Sequence, residues 1–212
     1  MQRFASTLDI GPETRILDVG GVAEYWQMLP RRPHVVLLNQ PRAQAELSAA
    51  ASWVAGDGRN LPFADQSFDF VFSNSVIEHV GDAADQQRFA SEVARVGRGY
   101  WVQTPNRWFP IEQHLLTPAI HWLPKAWQRA LVPRFTIWGI FSRVSRDRRE
   151  FYLEHYLNQI RLLDAREVRQ LFPDARVTRE RFLGWTKSLV AVKLPDVSAW
   201  LPARRLPDSR TT

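Results

Sequence analysis

The sequence predicts an α/β fold, in which a mostly parallel sheet of seven strands is covered by helices on both faces. Two observations predict it. Seven short segments rich in apolar residues alternate, over most of the chain, with segments of helical periodicity. Most of the apolar segments also end close to Gly, Asn or Pro, which favour turns. Strands and helices that alternate in this way form a sheet covered on both faces.

The predicted strands are residues 15–19, 34–38, 53–55, 67–74, 100–104, 176–183 and 187–194. The second of these, HVVLL, is apolar throughout, as expected for a strand buried on both faces. The fourth, SFDFVFSN, is the clearest strand in the chain. Because ligands of parallel sheets bind beyond the carboxyl ends of the strands, residues at those ends are the candidate site residues.

Four helices are predicted, over residues 23–29, 41–50, 83–96 and from Asp164 to Phe172. Asp82 is the expected N-cap of the third helix, and Gly97 ends it. Asp164 and Glu167 have the spacing of a capping box for the fourth. We expect one domain over residues 1–194, with an insert at 107–150, and a flexible tail at 195–212 that holds three prolines and three arginines.

The composition excludes several classes of protein. The 212 residues contain no cysteine, which excludes cysteine catalysis, thiolate metal sites and a disulfide scaffold, and fits a reducing compartment. No stretch approaches the roughly 18 apolar residues of a membrane-spanning helix. We therefore expect a soluble, cytoplasmic protein.

The insert at 107–150 carries most of the positive charge. It has eight Lys or Arg and three acids, a balance of +5 out of +6 for the whole chain. It is also rich in aromatic residues: Trp108, Phe109, Trp122, Trp127, Phe135, Trp138 and Phe141.

Two motifs bear on function. The first strand runs into the segment ILDVGGVAE, in which Gly20 and Gly21 let the backbone approach a ligand. The second is GDGRNLPFADQSFDFVFSNSVIEHV, residues 56–80. Together they resemble the class I S-adenosylmethionine-dependent methyltransferases of the small-molecule (methyltransferase type 11-like) branch, over residues 15–106 and again in the closing helix and strands. The resemblance implies a Rossmann-like sheet whose last strand is antiparallel.

The resemblance also implies cofactor-binding positions. Gly20 and Gly21 would form the turn under the methionine part of the cofactor, and Asp18 would orient that turn. Asp57, with Gly58 beside it, would accept a hydrogen bond from the adenine amino group. Further positions are implied beside the ring (Asn60 and Leu61), at the ribose (Asn39) and at the amino-acid end (Ser73 and Asn74).

Three residues depart from the family's pattern. Val22 and Glu24 replace the later glycines of the first motif. Asn39 stands where the family has an acid that accepts bonds from the ribose hydroxyls, and an uncharged amide makes a weaker bond than a carboxylate. The expected loss is about 1 kcal/mol in binding the cofactor. The alternative hypothesis is therefore a non-catalytic binding or scaffold protein of the same fold. Peripheral attachment to a membrane is compatible with this hypothesis and with the enzyme.

Candidate groups for catalysis and for the acceptor lie after the fourth and fifth strands. His79 is the first candidate for a general base, if the acceptor is a hydroxyl; a structural histidine is the alternative. Glu112 and His114 form a second candidate pair, or else an ordinary surface turn, and Asn106 ends the fifth strand. No His, Asp or Glu cluster shows metal-ligand spacing, so no metal is expected.

The insert allows three interpretations. In the first, Trp beside Arg lies at the interface of an anionic membrane. In the second, these residues bind an anionic or lipid-like acceptor. In the third, the insert is a simple lid whose aromatic residues pack on the core.

Positive charge alone does not predict nucleic-acid binding, because no recognised binding module accompanies it. The expected function is methyl transfer from S-adenosylmethionine, which leaves S-adenosylhomocysteine, to a small-molecule or lipid-linked acceptor.

Overall fold

The computed structural model describes residue 4 and residues 10–41, 52–135, 154, 156–157 and 159–195. Seven strands form one sheet: β1 (Arg15–Val19), β2 (His34–Asn39), β3 (Ser52–Ala55), β4 (Phe68–Asn74), β5 (Gly97–Pro105), β8 (Arg176–Phe182) and β9 (Trp185–Lys193). Two more strands, β6 (Ile111–Glu112) and β7 (Thr117–Pro118), form a small hairpin within the insert.

The order of strands in the large sheet is β3-β2-β1-β4-β5-β9-β8. The first five pair in parallel. β9 lies between β5 and β8 and is antiparallel to both. The prediction of a mostly parallel sheet with an antiparallel last strand is therefore confirmed. The order changes direction between β1 and β4, which makes the ends of these two strands the expected binding position.

In the part of the chain that the structure describes, four helices accompany the sheet: α1 (Ala23–Gln27), α2 (Ala83–Val96), α3 (Lys125–Phe135) and α4 (Ala165–Leu171). The Asp82 carboxylate accepts a hydrogen bond from the backbone N–H of Asp85 and caps α2. Asp164 and Glu167 form the predicted capping box of α4. Both caps confirm the sequence-based boundaries. α1 is two residues shorter than predicted, and Leu29 lies beyond it in a turn.

The core lies on both faces of the sheet because neighbouring residues of a strand point to opposite faces. On one face Leu17 and Val71 pack with Phe89 of α2 and Val168 of α4. On the other face lie Ile16 and Phe70, the residues that directly precede Leu17 and Val71 in their strands. They pack in a different cluster, with Phe4, Trp26 and Trp101. The switch of cluster between adjacent residues is the expected signature of strands buried on both faces.

A short 3₁₀ helix, Ile77–His79, follows β4 and is held from the far side of the chain. The backbone N–H of Arg161 donates to the Glu78 carbonyl at 2.8 Å. The buried Gln86 side chain donates to the carbonyls of both Ile77 and Arg161, at 3.0 and 2.9 Å. The turn that bears His79 is therefore fixed by residues about eighty positions later in the sequence.

The described part of the insert has its own small core. Leu115, Ile120 and Val132 pack with Tyr156 and Leu157. Among the described residues, no helix is both long enough and apolar enough to span a bilayer. Three earlier expectations fall outside the described residues: the helix over 42–50, the end of the insert at 136–150 and the tail at 196–212.

Candidate functional site

A crevice of about 610 Å³ opens at the carboxyl ends of the parallel strands. Its lining includes the backbone of Gly20, Gly56 and Gly58 and the side chains of Asn39 and Asp57. A Cβ on Gly58 would lie 2.7 Å from the Phe89 ring, and one on Gly20 would lie 2.4 Å from Val76, so larger residues do not fit at either position. The volume lies within the usual range of small-ligand sites, roughly 300–1,000 Å³.

Asp18 lies beneath the glycine turn after β1. Its carboxylate is buried, it accepts a hydrogen bond from Trp26 Nε1 at 2.6 Å, and it occupies the space that a Cβ on Gly21 would need. The Asn39 side chain donates to the Gly21 carbonyl at 3.0 Å. Both predicted residues therefore contact the turn itself.

Burial raises the pKa of Asp18 to about 7, although the Trp26 hydrogen bond lowers it in part. One of its oxygens, Oδ1, has no hydrogen-bond partner among the described residues. A carboxyl in this position is an ionisable group near neutral pH.

Asp57 has a partner that the sequence did not predict. Its two oxygens accept from the Arg59 backbone N–H and from Nε and Nη2 of the Arg59 guanidinium, at 2.5–3.0 Å. Arg59 also reaches the Val80 carbonyl, at 3.2 Å, and Asp85, so it spans the crevice from β3 to the turn after β4. The Arg59 hydrogen bond is the main cause that holds the pKa of Asp57 below its usual value.

His79 and the Glu112–His114 pair, which were separate candidates in the sequence, form one cluster. His79 Nε2 and His114 Nε2 lie 3.2 Å apart, and the rings meet edge to face at 5.0 Å. His114 Nδ1 lies 2.7 Å from Glu112 Oε1. Because His79 lines the crevice, the cluster borders it.

Two buried carboxylates hold this cluster. Glu112 is 1% exposed and accepts from the Leu115 backbone N–H at 2.6 Å. Glu78 is fully buried and accepts from Thr104 Oγ1 at 3.0 Å, and burial raises its pKa to about 7. Burial disfavours the charged form of His114, but the hydrogen bond and charge of Glu112, with the charge of Glu78, raise its pKa overall.

The comparisons with known proteins agree with this geometry. The family model described as a methyltransferase domain matches residues 17–99, which include the glycine turn, Asp57 and His79. Residues 17–99 therefore resemble a class I methyltransferase domain. A curated relative, glycine/sarcosine/dimethylglycine N-methyltransferase of Actinopolyspora halophila, is 36% identical over 112 residues. That match covers 45% of this chain and 19% of the relative, and the chain spans about a fifth of the curated relatives it matches.

Solved structures share the fold of the methyltransferase domain. An S-adenosylmethionine-dependent methyltransferase from Methanosarcina mazei superposes with a TM-score of 0.52 at 16% identity, over 88% of this chain and 95% of the other. A Rhodobacter sphaeroides protein, provisionally named as a zinc-dependent alcohol dehydrogenase, gives 0.61 at 13% identity, over 92% and 88%. At such identities the likeness concerns the fold alone.

S-adenosylmethionine is the cofactor of this family, and the crevice fits it. The strand tips are open, the glycine backbone leaves room beside them, and the Asp57 side chain, 42% exposed, faces the opening. Asp18, Gly20, Gly21, Asn39, Asp57 and Gly58 all lie at or directly beneath the crevice.

Four predicted cofactor residues do not line the crevice. Leu61 is buried in the core, where its N–H donates to Glu92, and Asn60 is exposed. Ser73 is buried and donates to the Val19 carbonyl, and Asn74 is exposed at the end of β4. The lining instead uses residues near these positions: Arg59, Ser75, Val76 and Val80.

Asn106 has a structural role at the end of β5. Its side chain donates to the Thr186 carbonyl at 2.9 Å and accepts from the Trp108 N–H at 3.3 Å, and its backbone pairs with β9. Asn106 therefore fixes the start of the insert, and its role as an acceptor-binding side chain stays a prediction.

A second cavity, of about 380 Å³, lies in the insert. Its walls combine aromatic and basic residues, among them Trp108, Trp122, Lys125 and Tyr156. Trp108 and Trp122 are 58% and 45% exposed, whereas Phe109 is buried. Burial lowers the pKa of Lys125, whose ammonium lies 5.8 Å from the centre of the Tyr156 ring. A lid that only packs on the core does not explain the two exposed tryptophans.

Proposed function

We propose that the chain transfers a methyl group from S-adenosylmethionine to a small-molecule or lipid-linked acceptor, at oxygen, nitrogen or carbon. The observation that supports this most is the open crevice over the β1 and β4 tips, with the Gly20–Gly21 turn on one side and Asp57 on the other. The match of residues 17–99 to the methyltransferase domain supports the reaction class.

The roles of the cofactor-facing residues follow from their contacts. S-adenosylmethionine supplies an electrophilic methyl group, so the protein needs mainly to place the acceptor in line with it. Asp18 and Asn39 fix the glycine turn from below and from the side. Asp57 is an acceptor for an amino group, and Gly58 keeps the crevice floor open in front of Phe89.

His79 is our candidate for the group that takes a proton from a hydroxyl acceptor. It borders the crevice, and its ring contacts His114, which Glu112 holds through a 2.7 Å hydrogen bond. Glu112 and His114 thus act through His79. For a nitrogen acceptor, as the name of the Actinopolyspora halophila relative describes for that enzyme, a neutral amine needs no such base.

A lipid-linked or anionic acceptor is favoured by the second cavity. Two tryptophans that stay exposed beside Arg107 and Lys125 are suited to a headgroup region, where indole rings and cations both bind favourably. We propose that this side of the insert faces an anionic membrane surface or the lipid part of the acceptor.

The alternative, a non-catalytic binding protein, also has an observation in its favour. Among the described residues, Arg59 donates the hydrogen bonds to the Asp57 carboxylate, so an adenine amino group must compete with a guanidinium in the same chain.

The test is calorimetric titration of the wild-type protein with S-adenosylmethionine and S-adenosylhomocysteine. We expect binding in the micromolar range, about tenfold weaker in Asp57→Ala because one charge-assisted bond is lost. The control is Glu13→Ala, an exposed acid that does not line the crevice. Absence of binding at millimolar cofactor refutes the proposal.

Transfer itself is tested with methyl-labelled cofactor and extracts of small metabolites or lipids. Label that enters a product, and does so more slowly with Asp57→Ala at cofactor concentrations below saturation, supports the enzyme. Cofactor binding without any labelled product supports the binding-protein alternative.

A further inference from the structure

The structure contains a candidate metal site that sequence spacing did not reveal. We propose that Glu78, His79 and His114 bind one divalent transition-metal ion, with Zn²⁺ as the first choice, at the edge of the crevice. The donor atoms of these three residues all lie within 4.8 Å of one another. His79 Nε2 lies 3.2 Å from His114 Nε2 and 4.0 Å from Glu78 Oε1.

Glu78 provides an independent sign of a missing partner. The residue is 0% exposed, and its Oε2 accepts a hydrogen bond from Thr104. Its Oε1, the atom that faces His79, has no hydrogen-bond partner among the described residues. A buried carboxylate oxygen without a partner is costly, and a cation at this point would satisfy it.

His114 is oriented as a metal-binding histidine. In the proposed site His114 Nδ1, which lies 2.7 Å from Glu112 Oε1, donates its hydrogen to that carboxylate oxygen. The lone pair then lies on Nε2, which points toward His79. A ligating imidazole that donates its other N–H to a carboxylate is the common arrangement in metal sites. The Leu115 N–H holds Glu112 in turn.

Two imidazoles and one carboxylate favour Zn²⁺ or a neighbouring transition ion over Mg²⁺ or Ca²⁺, which prefer all-oxygen sites. Three protein ligands leave at least one position open for water or for an oxygen of the acceptor. The negative charges of Glu78 and Glu112 would offset the charge of the ion.

The use of the ion in the reaction rests on the proposed function, whereas its binding does not. With the ion bound, His79 would be a ligand and no longer the general base. A hydroxyl bound at the open position would then have a lowered pKa and would release its proton to solvent. The site would therefore prepare an oxygen acceptor beside the place that the cofactor is proposed to occupy.

The experiment measures Zn²⁺ binding to untagged protein that has been stripped with a chelator, by competition with a chromogenic chelator, in the absence of cofactor. We expect one equivalent bound in the wild type and at least tenfold weaker binding in Glu78→Gln and His114→Ala. Co²⁺ in place of Zn²⁺ should give visible absorption bands that both variants lose.

Glu112→Gln tests the orientation of His114 without removing a ligand. Its amide N–H₂ would donate to Nδ1, which shifts the imidazole proton to Nε2 and blocks the lone pair. We expect a 10–100-fold loss of Zn²⁺ affinity, as for other residues that support a metal ligand. His34→Ala, an exposed histidine at the start of β2, should bind Zn²⁺ like the wild type.

The proposal is wrong if the wild type binds no stoichiometric Zn²⁺, or if Glu78→Gln, His114→Ala and Glu112→Gln, each folded by circular dichroism, all bind as the wild type does. In that case His79 and His114 are only a hydrogen-bonded pair. Failure of the proposed function would appear separately, as loss of S-adenosylmethionine binding with Zn²⁺ binding intact.

Discussion

Asp18 supports the glycine turn with a carboxyl that is buried away from water. It is 1% exposed, with one hydrogen bond to Trp26 and one oxygen that lacks a partner among the described residues. Its pKa is about 7, against 3.8 for an ordinary aspartate. The folded protein therefore keeps a proton that the unfolded chain loses between these two pH values.

This difference predicts how stability depends on pH. The contribution of Asp18 is most favourable below about pH 4, and it declines as pH rises toward 7, by at most about 4 kcal/mol. Asp18→Asn should remove this decline. The wild type should therefore lose more of its melting temperature between pH 5 and pH 8 than the variant does. Thermal unfolding of both proteins at the two pH values measures it, with Glu13→Gln as a control. Equal pH dependence of wild type and Asp18→Asn would contradict the prediction.

Arg59 gives a second prediction for a single residue. It occupies the Asp57 carboxylate and adds a positive charge beside the crevice. Arg59→Met keeps much of the volume and releases the carboxylate, so we expect S-adenosylmethionine to bind about fivefold more tightly. S-adenosylhomocysteine, which lacks the sulfonium charge, should gain less. Calorimetry measures both affinities, with Arg88→Met as the control for removal of an arginine that pairs with Asp85. Weaker binding of both ligands to Arg59→Met would mean that Arg59 positions Asp57.

At the level of elements, local sequence rules were sufficient where the deciding contacts are local. The start of α2 at Asp82 and the capping box of α4 were predicted because a cap involves residues only three positions apart. All seven strands of the main sheet were predicted, with bounds wrong by up to three residues. β6 and β7 were not predicted, since each has only two residues and no period can be read from them.

The capping box can be tested on its own. Asp164→Ala removes the acceptor for the N–H groups of Arg166 and Glu167, so we expect a loss of about 1 kcal/mol in the free energy of unfolding. Denaturant unfolding measures it. Gln170→Ala, an exposed change in the same helix, should stay within about 0.5 kcal/mol of the wild type. A similar effect of both substitutions would show that the cap contributes nothing specific.

The candidate site was predictable only in part. The residues in the strand tips and the glycine turn followed from the motifs. The contact between His79 and His114, which are 35 positions apart, depends on the path of the chain through β5 and the hairpin. No local sequence pattern predicts that path. Ser73 does not line the crevice, because its side chain is buried and donates to the Val19 carbonyl. The lining begins beyond the tip of β4, at Ser75, which has a positive φ of 57°.

For the molecule as a whole, charge and exposed aromatic residues occur together in the insert. This predicts binding to vesicles that contain anionic lipid, weakened by salt because screening reduces the attraction. Trp108→Ser with Trp122→Ser should reduce vesicle binding severalfold, since both rings are exposed. Sedimentation with anionic and neutral vesicles measures it, and Met28→Ser, an exposed apolar residue of the turn after α1, is the control. Binding that is indifferent to salt and to lipid charge would count against a membrane-facing insert.

The hydrogen bonds of Gln86 and Arg161 to the turn after β4 limit how this protein could be re-engineered. A chimera that exchanges the acceptor-facing segment for that of another methyltransferase would have to retain the path of the backbone at Arg161, whose N–H donates to Glu78 and whose carbonyl accepts from Gln86. Without it, Glu78 and His79 would lose their anchor even though neither had been altered. A substitution of the segment that selects the acceptor would thus also alter the geometry at the bottom of the site.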